Sequence, residues 1–183
     1  MSVRFNLVRA ARILRAGGVV CHATEGVFGL ACDPLDVGAV DRVLRIKRRT
    51  VDKGLLLIAD RFESLSSWID EPTDAMRSAL ESCEQPTTWI VPASRRVPYW
   101  ITGGKPGVGV RLVMHAQARA LCRQVGGPLV STSANRAGRA PATTYLRALL
   151  SLGADVDVVL PGHTDPALGP SRIINWSDGV TVR

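Results

Sequence analysis

"GPLVSTSANRAG", Gly127–Gly138, joins an apolar run to a stretch crowded with hydroxyls, an amide and a guanidinium. Residues 128–133 read as a β-strand. Side chains alternate between faces along a strand, so Ser131 and Ser133 share one side, and Asn135 can turn toward that side where the strand ends. Two readings follow. The hydroxyls, the amide and exposed backbone N–H groups can cradle a phosphate without a glycine-rich loop. The same residues can instead form an Asx or ST turn that caps the chain reversal. Ligands of open α/β sheets gather beyond the carboxyl ends of strands, which favours the first reading.

Upstream and downstream of this stretch, strand and helix signals alternate. Leu7, Val8, Ala11, Ile13 and Leu14 recur at helical spacing before Gly17-Gly18, and "VVCHA" follows as a buried strand. Asp36 can cap a helix whose apolar face is Val40, Val43, Leu44 and Ile46, ending in Lys47, Arg48 and Arg49. "GLLLIA" is a strand, Pro72 opens a helix through Met76, Ala79 and Leu80, and "TTWIVPA" and "GVGVRLV" are strands around a Pro/Gly-rich loop. A helix from His115 to Val125 precedes the opening strand. A second from Thr143 to Gly153 follows it, then short strands at "DVVLP", "SRII" and, at the end, "VTVR". This alternation predicts an α/β fold. No repeat or linker divides the chain, so residues 1–183 are expected to form one domain.

The bulk composition narrows the function classes. With 46% apolar and 21% charged residues, the chain has the composition of a soluble globular protein. Its longest apolar runs fall far short of the roughly 20 residues that span a bilayer. No charged leader precedes an apolar segment at the start, and a cytoplasmic protein is expected. Cys21, Cys32, Cys83 and Cys122, and His22, His115 and His163, lack metal-ligand spacing, so no metal site is expected and the thiols read as free. A net charge of +7 suits an anionic partner, either a polynucleotide or a phosphate-bearing small molecule, and equally a generally basic surface with no such partner. Only 3 of the 23 basic residues are lysines, and two of them, Lys47 and Lys53, stand close together.

Phosphate-loop and dinucleotide-loop glycine motifs are missing, as is a nucleophile elbow. Any phosphate chemistry must therefore draw side chains from several segments. Thr24 and Glu25, behind a buried strand, can bind a small polar ligand or cap the next turn. Lys47, Arg49 and Lys53 can converge on a polyphosphate or form a solvated basic helix end. Arg111, between apolar residues of a strand, can reach into a cleft for a carboxylate or lie at a wet sheet edge.

Taken in order, these segments resemble the YrdC family, the threonylcarbamoyl-AMP synthases also called TsaC. "ATEGVFGL" is similar to the family's P-T-E-x-V-[YF]-G-[LV], and Lys47-Arg48-Arg49 to its K-x-R. "VGVR" matches a strand ending in V-R, "STSANRAG" matches S-T-S-A-N with a trailing Gly, and "PSRI" matches P-S-x-I. The likeness runs from about Ala10 to Arg183. It implies a twisted, open, mixed sheet with flanking helices around an electropositive concave cleft. It also implies a nucleotidyltransferase that makes threonylcarbamoyl-adenylate and diphosphate from L-threonine, bicarbonate or CO2, and ATP. No tightly bound cofactor is implied; magnesium would arrive with ATP. A tRNA-modifying transferase would consume the product beside the anticodon, and weak tRNA binding by this chain would be compatible.

By the same resemblance, threonine lies near Thr24, Arg111, Ser131 and Ser171. ATP lies along Lys47, Arg49, Val51, Ser133 and Asn135, with Pro141 and Arg183 closing over it, and Lys47 and Arg49 serve catalysis. The sequence departs from the family pattern at His22-Ala23 (Tyr-Pro), Gly26 (Ala or Thr), Thr50 (Pro), Glu84–Thr88, Gly169-Pro170 (Asn) and Asn175 (Asp). Missing prolines loosen loops, each by up to about 1 kcal/mol. Two alternatives accompany this reading. One is a non-catalytic tRNA- or rRNA-binding or ribosome-maturation protein; the other is a paralogue acting on another amino acid.

Overall fold

The computed structural model describes residues 3–182. In chain order the elements are α1 (Val3–Arg15), β1 (Val20–Ala23), β2 (Phe28–Cys32), α2 (Val37–Lys47), β3 (Leu56–Ala59), α3 (Glu63–Ser66), α4 (Asp74–Glu81) and β4 (Thr87–Pro92). They continue with α5 (Tyr99–Thr102), β5 (Gly107–Leu112), α6 (Ala116–Val125), β6 (Leu129–Ser133), α7 (Tyr145–Leu152), β7 (Val158–Val159) and β8 (Arg172–Asn175). The strands form a mixed sheet in the order β7-β1-β2-β6-β3-β5-β4-β8. Pairs β1/β7, β3/β5 and β4/β8 are parallel, and the other neighbours are antiparallel. The fold is α/β with helices flanking a mixed sheet, as the alternation of elements predicts.

Strand β2 is where the sequence reading falls short. No strand is read from the sequence at Phe28–Cys32, yet this segment pairs with both β1 and β6 and is buried throughout. A strand covered on both faces loses the polar alternation that makes a strand visible in sequence. Helix α4 begins at Asp74, not at Pro72, because the Thr73 side chain accepts from Met76 N and caps it. The terminal "VTVR" is reduced to a single bridge, Ile174 to Thr181.

Helix α2 shows how sequence sets direction here. The Asp36 carboxylate accepts from Ala39 N at 2.9 Å and starts the helix, a cap worth about 1 kcal/mol. At the other end Arg48 turns left-handed (φ +51°), and Arg49 N donates to Leu44 O at 3.0 Å. The K-x-R spacing follows from this turn. Lys47 finishes the helix on its buried side, Arg48 takes the turn in solvent, and Arg49 re-enters toward the sheet.

One sheet face packs a large core that includes Phe28, Leu30, Leu57, Val108, Val110 and Val130. The opposite face is covered over part of its area by α1 and α6, through Leu14, Ala31, Ile58, Val113, Leu121 and Leu129. On the same strands, and on that same face, glycine and polar residues take over. Gly107, Gly109 and Arg111 alternate with inward Val108 and Val110 on β5, and Ser131 and Ser133 continue the row of Leu129 on β6.

Candidate active site

Two cavities open on this bare part of the sheet face. The smaller, about 120 Å³, is lined by Thr24, Gly29, Arg111, Ser131, Ser133 and Ser171, among others. The larger, about 530 Å³, is lined by Lys53, Thr88, Lys105, Gly107, Gly109 and Asn175, among others. Arg49, Gly54, Leu55, Leu56 and Ile173 belong to both, so the cavities adjoin. Their floor is bare because the residues facing it are glycines. A Cβ on Gly109 would meet Leu56 Cβ at 3.1 Å and Thr88 Cγ2 at 3.3 Å, and one on Gly29 would meet Ser131 Oγ at 3.3 Å.

Arg111 enters the smaller cavity from β5 almost fully buried, and Glu25 provides its counter-charge. Glu25 Oε1 accepts from the amides of Met114 (2.7 Å) and His115 (3.1 Å), while Oε2 lies 3.3 Å from an Arg111 terminal nitrogen. Burial alone would raise the Glu25 carboxyl; the guanidinium and the amides outweigh it and hold it below the ordinary carboxylate range. A buried arginine thus keeps its charge, with its plane set by a carboxylate that is itself pinned by the backbone. Sequence reading weighed Glu25 as a turn cap and missed this role. The available signal was the need of any buried arginine for a counter-charge, but the partner lies 86 positions away.

Thr24 Oγ1 donates to Val27 O at 2.6 Å, closing the turn that shapes one wall. Ser171 Oγ lies 3.0 Å from Thr88 Oγ1, which joins a residue of the smaller cavity to one of the larger. The four positions assigned to threonine therefore line one cavity.

The nucleotide assignments divide. Arg49 sits where the cavities meet and donates to Gly54 O at 2.9 Å and Lys53 O at 3.2 Å. Ser133 lines the smaller cavity. Lys47 lines neither. Buried to 4% exposure, its ammonium donates to the carbonyls of Ser133 and Asn135, to Asn135 Oδ1 at 3.1 Å, and lies 3.4 Å from Ser133 Oγ. Ser133 Oγ in turn donates to Asn135 Oδ1 at 2.6 Å, and Asn135 Nδ2 donates to Arg139 O. At the end of β6, the Ser133 hydroxyl and the Asn135 amide thus form a knot around one lysine, while Ser131 faces the smaller cavity. Val51 and Pro141 line neither cavity, and Arg183 lies outside the described residues.

Two departures from the family pattern acquire a physical account. Ala23, standing where a proline is usual, uses its N–H to donate to Gln117 Oε1 at 3.1 Å, a bond proline would lack. His22 beside it is fully buried, its Nδ1 lying 3.0 Å from Ala23 O. Burial, with the nearby His115 and Arg111 charges, pushes its pKa down to about 4, so the ring is neutral near pH 7. Burial also raises the Cys21 and Cys122 thiols to about 12, which makes them poor nucleophiles. Among the described residues no helix is long and apolar enough to cross a membrane, and no three His, Cys, Asp or Glu side chains gather where they could hold a metal.

The chain is similar to known proteins along almost its whole length. A threonylcarbamoyl-AMP synthase of Nitrosococcus oceani is 46% identical over 175 residues, covering 95% of each chain. The crystal structure of E. coli YciO superposes with a TM-score of 0.84 at 25% identity, over 100% of this chain and 89% of that one. P. abyssi Sua5 complexed with L-threonine gives 0.87 at 28% identity; the match covers 96% of this chain and 52% of that longer one. The model of the Sua5/yciO/yrdC family, described as "Telomere recombination", matches residues 12–183. With the family model and a relative at 46% identity both spanning almost the whole of it, the chain belongs to the Sua5/yciO/yrdC family.

Proposed function

We propose that this protein is a threonylcarbamoyl-AMP synthase, joining L-threonine, bicarbonate or CO2, and ATP. The observation that carries the proposal is the pair of adjoining cavities, one small with a buried Arg111, one large with Lys53 and Lys105, and Arg49 between them. The relative named for this activity matches along almost the whole chain.

Threonine occupies the smaller cavity with its carboxylate on the Arg111 guanidinium, and Thr24, Ser131 and Ser171 meet its polar groups. Its amino group forms a C–N bond to the carbon of bicarbonate, releasing water and giving a carbamate. ATP fills the larger cavity with its α-phosphate toward Arg49. A carbamate oxygen attacks the α-phosphorus, the bond to the bridging oxygen breaks, and diphosphate leaves. This chemistry needs no protein nucleophile; it needs two reactants held in line and charge neutralised at the phosphates. Magnesium travels with ATP and shares that neutralisation.

The chain's residues have distinct parts. Arg49, Lys53 and Lys105 provide positive charge along the phosphates. Lys47, enclosed by acceptors, acts through the strand end, holding Ser133 in place on the wall of the smaller cavity, the cavity that Arg49 also lines. The product passes to a tRNA-modifying transferase, and the site of action is the cytoplasm.

The test is diphosphate release from ATP and bicarbonate, with and without L-threonine, in the wild type and Lys47→Ala. Threonine-dependent release that collapses in the variant supports the synthase. Absence of release in the wild type, with RNA binding that weakens steeply with salt and ignores threonine, contradicts it.

A further inference from the structure

The turn that carries Thr24 and Glu25 closes at Val27, and the space beside its Gly26 belongs to another segment. A Cβ there would lie 1.9 Å from Gly169 O and 2.7 Å from both the carbonyl carbon and the amide nitrogen of Gly169. That is well inside the roughly 3.5 Å of ordinary van der Waals contact, and the atoms met are backbone, which cannot rotate aside. Gly169 itself has φ +58° and ψ −164°, a conformation open essentially to glycine alone. Two glycines therefore press backbone on backbone, and both stand at positions where the sequence departs from the family pattern.

The segment pressed against Gly26 covers the amino-acid cavity. Residues 161–171 cross over the turn as a strap, and Gly169, Pro170 and Ser171 line the smaller cavity. The strap is fastened at both ends. Upstream, Gln117 donates to Pro161 O at 2.6 Å, Asp165 N donates to Glu25 O at 2.7 Å, and Thr164 Oγ1 donates to Thr143 O at 2.7 Å. Downstream, Ser171 meets Thr88, and Arg172 N donates to Pro86 O at 2.9 Å. A side chain at position 26 would have to lift the strap between these fastenings, at the three residues that wall the cavity.

We propose that Gly26 is a specificity-determining residue: by having no side chain it lets the Gly169–Ser171 strap settle onto the amino-acid cavity, and this contact sets which amino-acid side chains fit. The inference rests on the synthase reading above. Gly26 itself touches no substrate; it positions the wall that does.

The test is the KM for L-threonine, L-serine and ATP in diphosphate release, measured for the wild type, Gly26→Ala and Gly169→Ala. The second variant disturbs the strap through backbone strain without changing the turn beneath it. For Gly26→Ala the threonine KM should rise about tenfold, while the threonine-over-serine ratio of kcat/KM falls because the methyl group no longer meets a fixed wall. The ATP KM should stay within about twofold, a split that general loss of structure would not produce. Gly169→Ala should show the same pattern, and it carries the test if Gly26→Ala does not fold. Unchanged threonine KM and selectivity in a folded variant, or parallel rises for threonine and ATP, overturn the inference. A wild type without threonine-dependent release contradicts the synthase reading itself, an outcome distinct from a wild type that works and a Gly26→Ala that equals it.

Discussion

The two halves of one sheet face differ in what lies over them, although the same strands build both. Under α1 and α6, Leu129 of β6 and Ile58 of β3 are completely buried, with Val113 just beyond β5 close to it. Two positions along, still on that face, stand Ser131, Leu56 and Arg111, and further along β5 come Gly109 and Gly107. The covered half is held by apolar packing. The open half is held by a buried ion pair, a lysine knotted into a strand end, and glycines that leave room. A site can thus share the rigidity of a core without sharing its composition: the strands are fixed at one end and free to present polar groups at the other.

The largest expected effect comes from breaking the ion pair. Arg111→Ala strands the Glu25 carboxylate in a buried position and should cost ~3–5 kcal/mol of stability in urea unfolding. The same change should lower kcat/KM for threonine about a hundredfold or more, whereas a purely structural arginine would leave threonine kinetics of the surviving folded fraction intact. Leu129→Ala acts on the covered half alone. It should destabilise by ~2–5 kcal/mol with the threonine KM unchanged, and a raised KM there would mean that the halves are not separable.

The His22 ring gives a pH signature. Its pKa falls from the ordinary 6.5 to about 4 on folding, because burial disfavours the charged form. The unfolded chain binds a proton in that window and the native protein does not. Stability should therefore be full above pH 6.5 and fall by up to ~3 kcal/mol as pH drops toward 4. Glu25 has the opposite kind of site, with its carboxyl held low, so its contribution is lost only at more acid pH. Unfolding of His22→Gln followed between pH 4 and 7 should show a flatter slope than the wild type; an equal slope would assign the window to other groups.

Filling the open half is milder. Gly109→Val puts methyls on the floor of the larger cavity, against Leu56 and Thr88, and should raise the ATP KM about tenfold while leaving the protein folded. Smallest of all, Arg48→Gly relieves the left-handed turn after α2 and should stabilise by ~0.5 kcal/mol in thermal or urea unfolding, without altering turnover.

Much of this was legible in the sequence because the signals were local. Asp36 announces its helix, Gly-Val-Gly-Val-Arg alternates as a strand must, and Ser131 and Ser133 point one way by the two-residue period. Thr24, Arg111, Ser131 and Ser171 come from four segments, and family resemblance grouped them before the sheet did. What stayed hidden depends on contacts across the chain. Nothing near Glu25 reveals that it serves Arg111, and nothing near Lys47 shows that its ammonium turns inward to Ser133 and Asn135. Strand β2 was concealed by its own burial. Gly26 and Gly169 stand out as departures in sequence, but only the fold shows that they touch.

The central claim is that the open half of the face is where amino acid and nucleotide meet. A crystal structure with L-threonine and a non-hydrolysable ATP analogue tests it directly. The account predicts the threonine carboxylate within about 3 Å of the Arg111 guanidinium and the phosphates beside Arg49, with Lys47 still held by Ser133 and Asn135. Threonine bound away from Arg111, or phosphates that draw Lys47 out of the strand end, would contradict it.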